Sequence, residues 1–128
     1  MQTDKRVYIM PHFIDIFGPH YQKLLASCER RKISINLDIQ DLTVNIRNAA
    51  PVESFLESEI QRAIKNCTSG DKITIAESSN AQYIKISIKN SGRTTLTDDE
   101  KKAIRALGYE VRARFGYDTV ISLNIARK

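Results

Sequence analysis

Residues 62–75 read RAIKNCTSGDKITI, and the fold turns on how this stretch is divided. Upstream of it and into it, Phe55, Leu56, Ile60, Ala63 and Ile64 recur at three- and four-residue steps, the period of an amphipathic helix. Pro51 opens that helix, where a missing N–H is tolerated. Thr68-Ser69-Gly70-Asp71 is a turn signal. Ile73 and Ile75 then alternate with polar residues, as in a half-buried strand. The stretch is therefore the end of a helix, a turn and the start of a strand.

Downstream, Tyr83, Ile84, Ile86 and Ile88 continue the period of two, and Ser78-Ser79-Asn80 connects the two runs as a hairpin. Residues 90–95 read as loop. Thr97 is an N-cap, followed by Asp98, Asp99 and Glu100 where the helix dipole favours acids. Helical spacing runs through Ile104, Leu107 and Val111, with an interruption at Gly108. Val120, Ile121, Leu123 and Ile125 form a last strand.

Upstream, Phe13, Ile14, Phe17, Tyr21, Leu24, Leu25 and Cys28 predict an amphipathic helix over 10–31. Pro19 is expected to kink or split it. Ile33, Ile35, Leu37 and Ile39 predict a strand, and Leu42, Val44 and Ile46, after a turn at Asp41, a second one paired with it as a hairpin. The predicted order is helix, two strands, helix, two strands, helix, strand. Such an order makes an α+β domain, a two-layer α/β sandwich with a mixed sheet of about five strands and the helices on one face.

The totals agree with one domain over residues 1–128, long enough to bury a core without staples. No apolar run of about 18 residues is present, so no membrane span is expected. The first residues lack the long apolar core of a cleaved leader, and the expected compartment is the cytoplasm. Cys28 and Cys67 have neither CxxC spacing nor partners for zinc and read as reduced, semi-buried thiols.

The net charge of +5 is uneven: residues 101–128 carry seven bases and two acids. Lys101, Lys102, Arg105, Arg112 and Arg114 make a basic face suited to an acidic partner. Few aromatics interleave with them, so nucleic acid ranks lowest of the readings. Phosphate loops of the GxxxxGK[ST] and GxGxxG kinds are absent, as is a nucleophile elbow. Asp98, Asp99 and Glu100 read as capping residues rather than a metal site, and His20, after Pro19, has a loop-like setting.

Three stretches resemble one family. RAIKNCTSGDKITI is similar, without a gap, to the phrase NAIKYTPEGGKITI of the catalytic ATP-binding domain of histidine kinases in the GHKL superfamily. YIKISIKNSG (83–92) resembles the strand leading into that family's D-x-G-x-G box. ALGYEV (106–111) with DTVISLNI (118–125) resembles its second glycine box and its closing GTTFTFTLP-like strand. The resemblance covers nearly the whole chain and implies a Bergerat-type ATPase fold.

It also implies a site with departures. The family's Mg²⁺-holding asparagine aligns with Arg62, and an earlier motif asparagine with Ser58; a guanidinium cannot ligate a cation. Shifting the alignment by one helical turn makes Asn66 the metal ligand and Cys67 the small residue after it. The D-x-G-x-G residues become Asn90, Gly92 and Thr94, so an asparagine carbonyl stands where the aspartate accepts from adenine. With Gly108 and Thr119, these residues are the expected nucleotide contacts if binding is retained. The lid that the family places before its second glycine box is missing between Ile104 and Gly108, and the penultimate strand is expected to be missing too.

The resemblance thus implies a degenerate ATPase-fold domain that docks a signalling protein, a response regulator or a kinase-like partner, as do phosphorelay proteins of this superfamily that do not bind ATP. No cofactor and no ATP hydrolysis are expected of it. The alternative is a working ATP- and Mg²⁺-binding kinase domain, of a sensor histidine kinase or an anti-sigma-type serine kinase, with an altered pocket. A basic nucleic-acid-binding domain comes third and predicts affinity falling steeply with salt.

Overall fold

The computed structural model describes residues 11–92, 96–113 and 118–127. Its elements are α1 (Phe13–Arg31), β1 (Ser34–Ile39), α2 (Ala49–Asn66), β2 (Lys72–Ser79), β3 (Tyr83–Asn90), α3 (Asp98–Ala106), β4 (Glu110–Ala113) and β5 (Thr119–Ala126). The strands form one mixed sheet in the order β1-β2-β3-β5-β4. β1 and β2 are parallel, which requires a crossover, and α2 supplies it. The remaining pairs are antiparallel.

α1 and α2 pack on each other and on the sheet, and α3 packs against β4. The core lies between the two layers. Phe55, Leu56, Ile60 and Ala63 of α2 are buried with Ile73, Ile75, Ile84, Ile86, Ile88 and Ile121 of the sheet. Each of the Phe, Leu and Ile side chains among them contributes about 1.5–3 kcal/mol relative to an exposed one. The rings of Phe13 and Phe17 stack at 5.2 Å between centroids. Among the described residues no helix is long and apolar enough to cross a membrane.

The predicted first hairpin does not form. β1 pairs with β2, and residues 42–46 lie instead against the start of α1. Phe13 N donates to Val44 O and Ile14 N to Leu42 O, both at 2.8 Å, and Ile46 N donates to Pro11 O at 2.8 Å. Val44 and Ile46 are buried, so their alternation is real. A period of two reports which face is covered; it does not report which strand lies alongside.

Pro19 does not break α1, which runs unbroken from Phe13 to Arg31. The carbonyl its ring deprives of a donor belongs to exposed Asp15, where solvent can satisfy it. His20 therefore sits on a helix rather than in a loop, with Nε2 3.4 Å from Glu53 Oε1. α2 begins two residues ahead of Pro51, with the Asn48 side chain accepting from Ala50 N at 3.3 Å. Pro51 then takes the third helical position, whose N–H has no intrahelical partner anyway.

The last helix is shorter than predicted. Thr97 caps it in a reciprocal box with Glu100, but it ends at Ala106, and Val111 belongs to β4. The expected loss of the penultimate strand is thereby corrected: β4 is that strand, four residues long. The count of five strands stands because 110–113 replaces 42–46. Gly108, at φ +89°, makes the turn between α3 and β4.

Candidate functional site

The C-terminal end of α2 meets the end of β3, and both are held rigidly. The Arg31 guanidinium donates to Ile64 O and to Cys67 O, each at 2.6 Å. This fork satisfies carbonyls that the helix end leaves free and places a cation where the helix dipole is negative. At β3, Ser91 N donates to Lys72 O at 3.0 Å, and Lys72 N donates to Ser91 Oγ at 2.7 Å. The strand end thus stays paired to β2 beyond Asn90.

Four of the sequence-predicted residues converge here. Asn90 is 4% exposed and its Oδ1 accepts from Gly92 N at 3.0 Å. Thr119, equally buried, is its cross-strand partner on β5. The Gly92 backbone lies directly against Asn66: a Cβ at position 92 would stand 2.1 Å from the Asn66 carbonyl oxygen. Only glycine fits that approach. Asn66, a half-buried residue, holds the last helical position of α2.

Gly108 does not join them. It follows the C-terminus of α3, and its N–H donates to Arg105 O at 2.9 Å. A phosphate cradle needs the N-terminus of a helix with free N–H groups. The backbone at Gly108 offers neither. Between Gly92 and α3 the chain has only residues 93–97, and α3 passes into β4 within three residues, so neither connection has the length of a lid.

The basic face is also rearranged. Lys101, Lys102 and Arg105 lie on α3, but Arg112 is on the edge strand β4, and Arg114 lies outside the described residues. Asp98, Asp99 and Glu100 balance the three bases of α3, so this helix carries no net charge. Among the described residues no three His, Cys, Asp or Glu side chains converge as a metal-binding group.

Arg62 is the residue whose role the structure changes most. Its Nε donates to Glu59 Oε1 at 2.8 Å, and Nη1 lies 4.0 Å from Glu100 Oε2 at the start of α3. The Glu59 side chain is fully buried, and its other oxygen accepts from Ser58 Oγ at 2.9 Å. Burial, and then the Glu59 charge, push the Tyr109 phenol up, while a hydrogen bond with Ser58 pulls it down. The Tyr109 ring stands edge-on to Phe55 at 4.9 Å. Sequence reading passed over Glu59, although a signal was present: it occupies the apolar face of α2, four residues after Phe55 and four before Ala63.

The residues present do not fit a Mg²⁺ ion at position 62. A guanidinium has no lone pair to offer and repels a divalent cation. Lys65, on the same stretch of helix, adds a second positive charge.

Cys67 caps the C-terminal end of α2 and is 1% exposed. Burial and the nearby Asp71 charge push its thiol up to about 11. A thiol whose folded pKa is raised stabilises the fold fully below its unfolded value of about 9 and loses that contribution as pH rises through 11. The expected outcome is a falling denaturation midpoint between pH 9 and 11, with that part of the fall absent in Cys67→Ala. At pH 7.5 the native thiol should react with a disulfide reagent much more slowly than the unfolded chain.

A cavity of about 390 Å³ lies elsewhere, between α1 and α2, lined by Lys23, Leu24, Leu56, Ile60 and Ile64 among others. It contains none of the predicted site residues.

A mixed five-stranded sheet under a helical layer is the fold of histidine-kinase catalytic domains. The chain superposes on the catalytic domain of the histidine kinase ThkA with a TM-score of 0.77 at 13% identity, covering 93% of this chain and 97% of that one. The histidine kinase AdeS of Acinetobacter baumannii gives a TM-score of 0.73 at 19% identity, with 94% of this chain and 67% of that chain covered. ThkA in complex with the response regulator TrrA gives 0.72 at 15%, over 94% of this chain and 42% of that one. No protein-family profile matches the sequence, and no curated protein does.

Proposed function

We propose that this domain is a degenerate histidine-kinase-type ATPase fold that serves two-component or phosphorelay signalling by docking a protein partner, without hydrolysing ATP. The observation that carries the reading is the Arg62–Glu59 pair. The position aligned with the magnesium-holding asparagine is filled by a cation that is itself committed to a buried carboxylate. Two further features support it: Gly108 sits at a helix C-terminus, and no lid-length segment flanks α3. Phosphoryl transfer depends almost wholly on positioning and charge stabilisation, and among the described residues neither a lid nor a glycine cradle at a helix N-terminus supplies them. A response regulator or a kinase-like protein is the expected partner class; ThkA, of the same fold, is found in complex with one.

Titrating the protein with a fluorescent ATP analogue and Mg²⁺ tests the reading. The expected result is no saturable binding tighter than about 100 μM. The convergence of Asn66, Asn90, Gly92 and Thr119 favours a second reading, in which an altered pocket still takes ATP. Tight binding that disappears in Asn90→Ala establishes that second reading and removes the first.

A further inference from the structure

The two edges of the sheet are treated differently. β4 is four residues long and carries Glu110 and Arg112, features that discourage pairing with another chain. β1 ends the other side of the strand order, is six residues long, contains neither proline nor glycine, and has no buried residue. Ser34 N donates to Asp71 O and Gln40 N to Glu77 O, so the even-numbered peptide groups face β2. Those of Ile35, Leu37 and Ile39 turn to the open edge by the alternation of a strand.

The side chains of the same three residues lie on the core face at its margin, and Leu37 is 40% exposed. Beside them α1 presents Ile14, Tyr21 and Leu25, seven and four residues apart along one face. Tyr21, Leu25 and Ile35 border one shallow cavity, and Ile14 is hydrogen-bonded to Leu42. Of the six large apolar side chains exposed among the described residues, four belong to β1, to α1 packed beside it or to the segment that follows β1: Ile14, Leu25, Leu37 and Leu42. Among the described residues no strand lies along that edge, so the apolar surface and the open strand edge coincide.

The charges name the occupant. Arg30 and Lys32 flank the N-terminal end of β1, and Asp38 and Asp41 mark its C-terminal end. An identical strand laid antiparallel brings the basic end of each copy beside the acidic end of the other. Centred on Asn36, the pairing sets Ile35 opposite Leu37 of the second copy, and the reverse, on the face shared with the two α1 stripes. We propose that β1 pairs antiparallel with β1 of a second copy, joining the two sheets into one and covering the α1 stripe in an isologous dimer.

Sedimentation equilibrium of the full chain tests this. The expected result is a dimer with a dissociation constant of about 10 μM or tighter. Leu37→Lys should weaken it at least ten-fold while circular dichroism shows a folded chain, because an edge lysine blocks pairing. Lys32→Glu should weaken it about five-fold, and Lys32→Glu/Asp38→Lys should restore it, since both pairs recur across the two-fold axis. The charge pair keeps the test open even where Leu37→Lys perturbs the fold. A wild-type chain that sediments as a monomer up to about 0.5 mM overturns the proposal. So does a dimer whose dissociation constant neither Leu37→Lys nor Lys32→Glu moves.

Discussion

Gly92→Ala is expected to destabilise the fold by about 3 kcal/mol, a fall in melting temperature of about 10 °C. The added Cβ meets Asn66 O at 2.1 Å, Asn66 C at 2.9 Å and Asn90 Oδ1 at 3.0 Å. Two of these are backbone atoms, which cannot swing aside as a side-chain tip can. Retreat is blocked from both directions. The Arg31 fork holds the end of α2, while Lys72 and Ser91 hold the end of β3 through a pair of hydrogen bonds.

Gly18→Ala is the control. Beyond its chain neighbours and the backbone of its own helix nothing lies within 4 Å of a Cβ there, and the residue is inside α1. It should change stability by less than about 1 kcal/mol, the entropy gained from the unfolded chain being set against the crowding of the new Cβ by the Pro19 ring. Urea denaturation of both variants decides the matter, and a loss below about 1 kcal/mol for Gly92→Ala contradicts the packing argument. The glycine of the motif would on this account be required by a protein contact, whether or not a ligand binds.

Arg62→Ala should cost about 2–3 kcal/mol, because it leaves the Glu59 carboxylate buried without its countercharge. The figure lies below the ~3–5 kcal/mol of a fully buried pair, since the Arg62 side chain is 30% exposed and screened by solvent. Glu59→Leu/Arg62→Ala should recover to within about 1 kcal/mol of the wild type. Leucine suits the face of α2 shared by Phe55, Leu56, Ile60 and Ala63, and an apolar replacement of a buried pair is often neutral. A thermodynamic cycle of the two single variants and the double variant isolates the coupling. Additivity of the two single effects argues that the pair is incidental to the fold.

Parts of the site were legible without coordinates. Asn90 and Gly92 follow a clean period-two strand, and Thr119 opens another, so the resemblance could be read off contiguous residues. Asn66 emerged only by weighing a second alignment, and its backbone contact with Gly92 spans 26 positions between the two numbers. Gly108 was misplaced because glycine marks both helix starts that bind phosphate and helix ends that turn left-handed. Its positive φ and its bond to Arg105 O are properties of the folded backbone. Glu59 was overlooked because a single charge on an apolar face reads as noise until its partner three residues on is seen to neutralise it.

What the sequence determined alone was local: helical and strand periods, the Thr97 cap, and the Asn80 turn whose side chain accepts from both Gln82 N and Tyr83 N at 2.8 Å. These depend on residues within a few positions of one another. The tertiary structure decided which edges meet. β1 chose β2 across a helix rather than residues 42–46 across a turn, and Val111 left the helix to pair with Ile121. Periodicity specifies the face a segment buries, whereas its neighbour is selected by the free energy of filling one shared core, to which every element contributes at once.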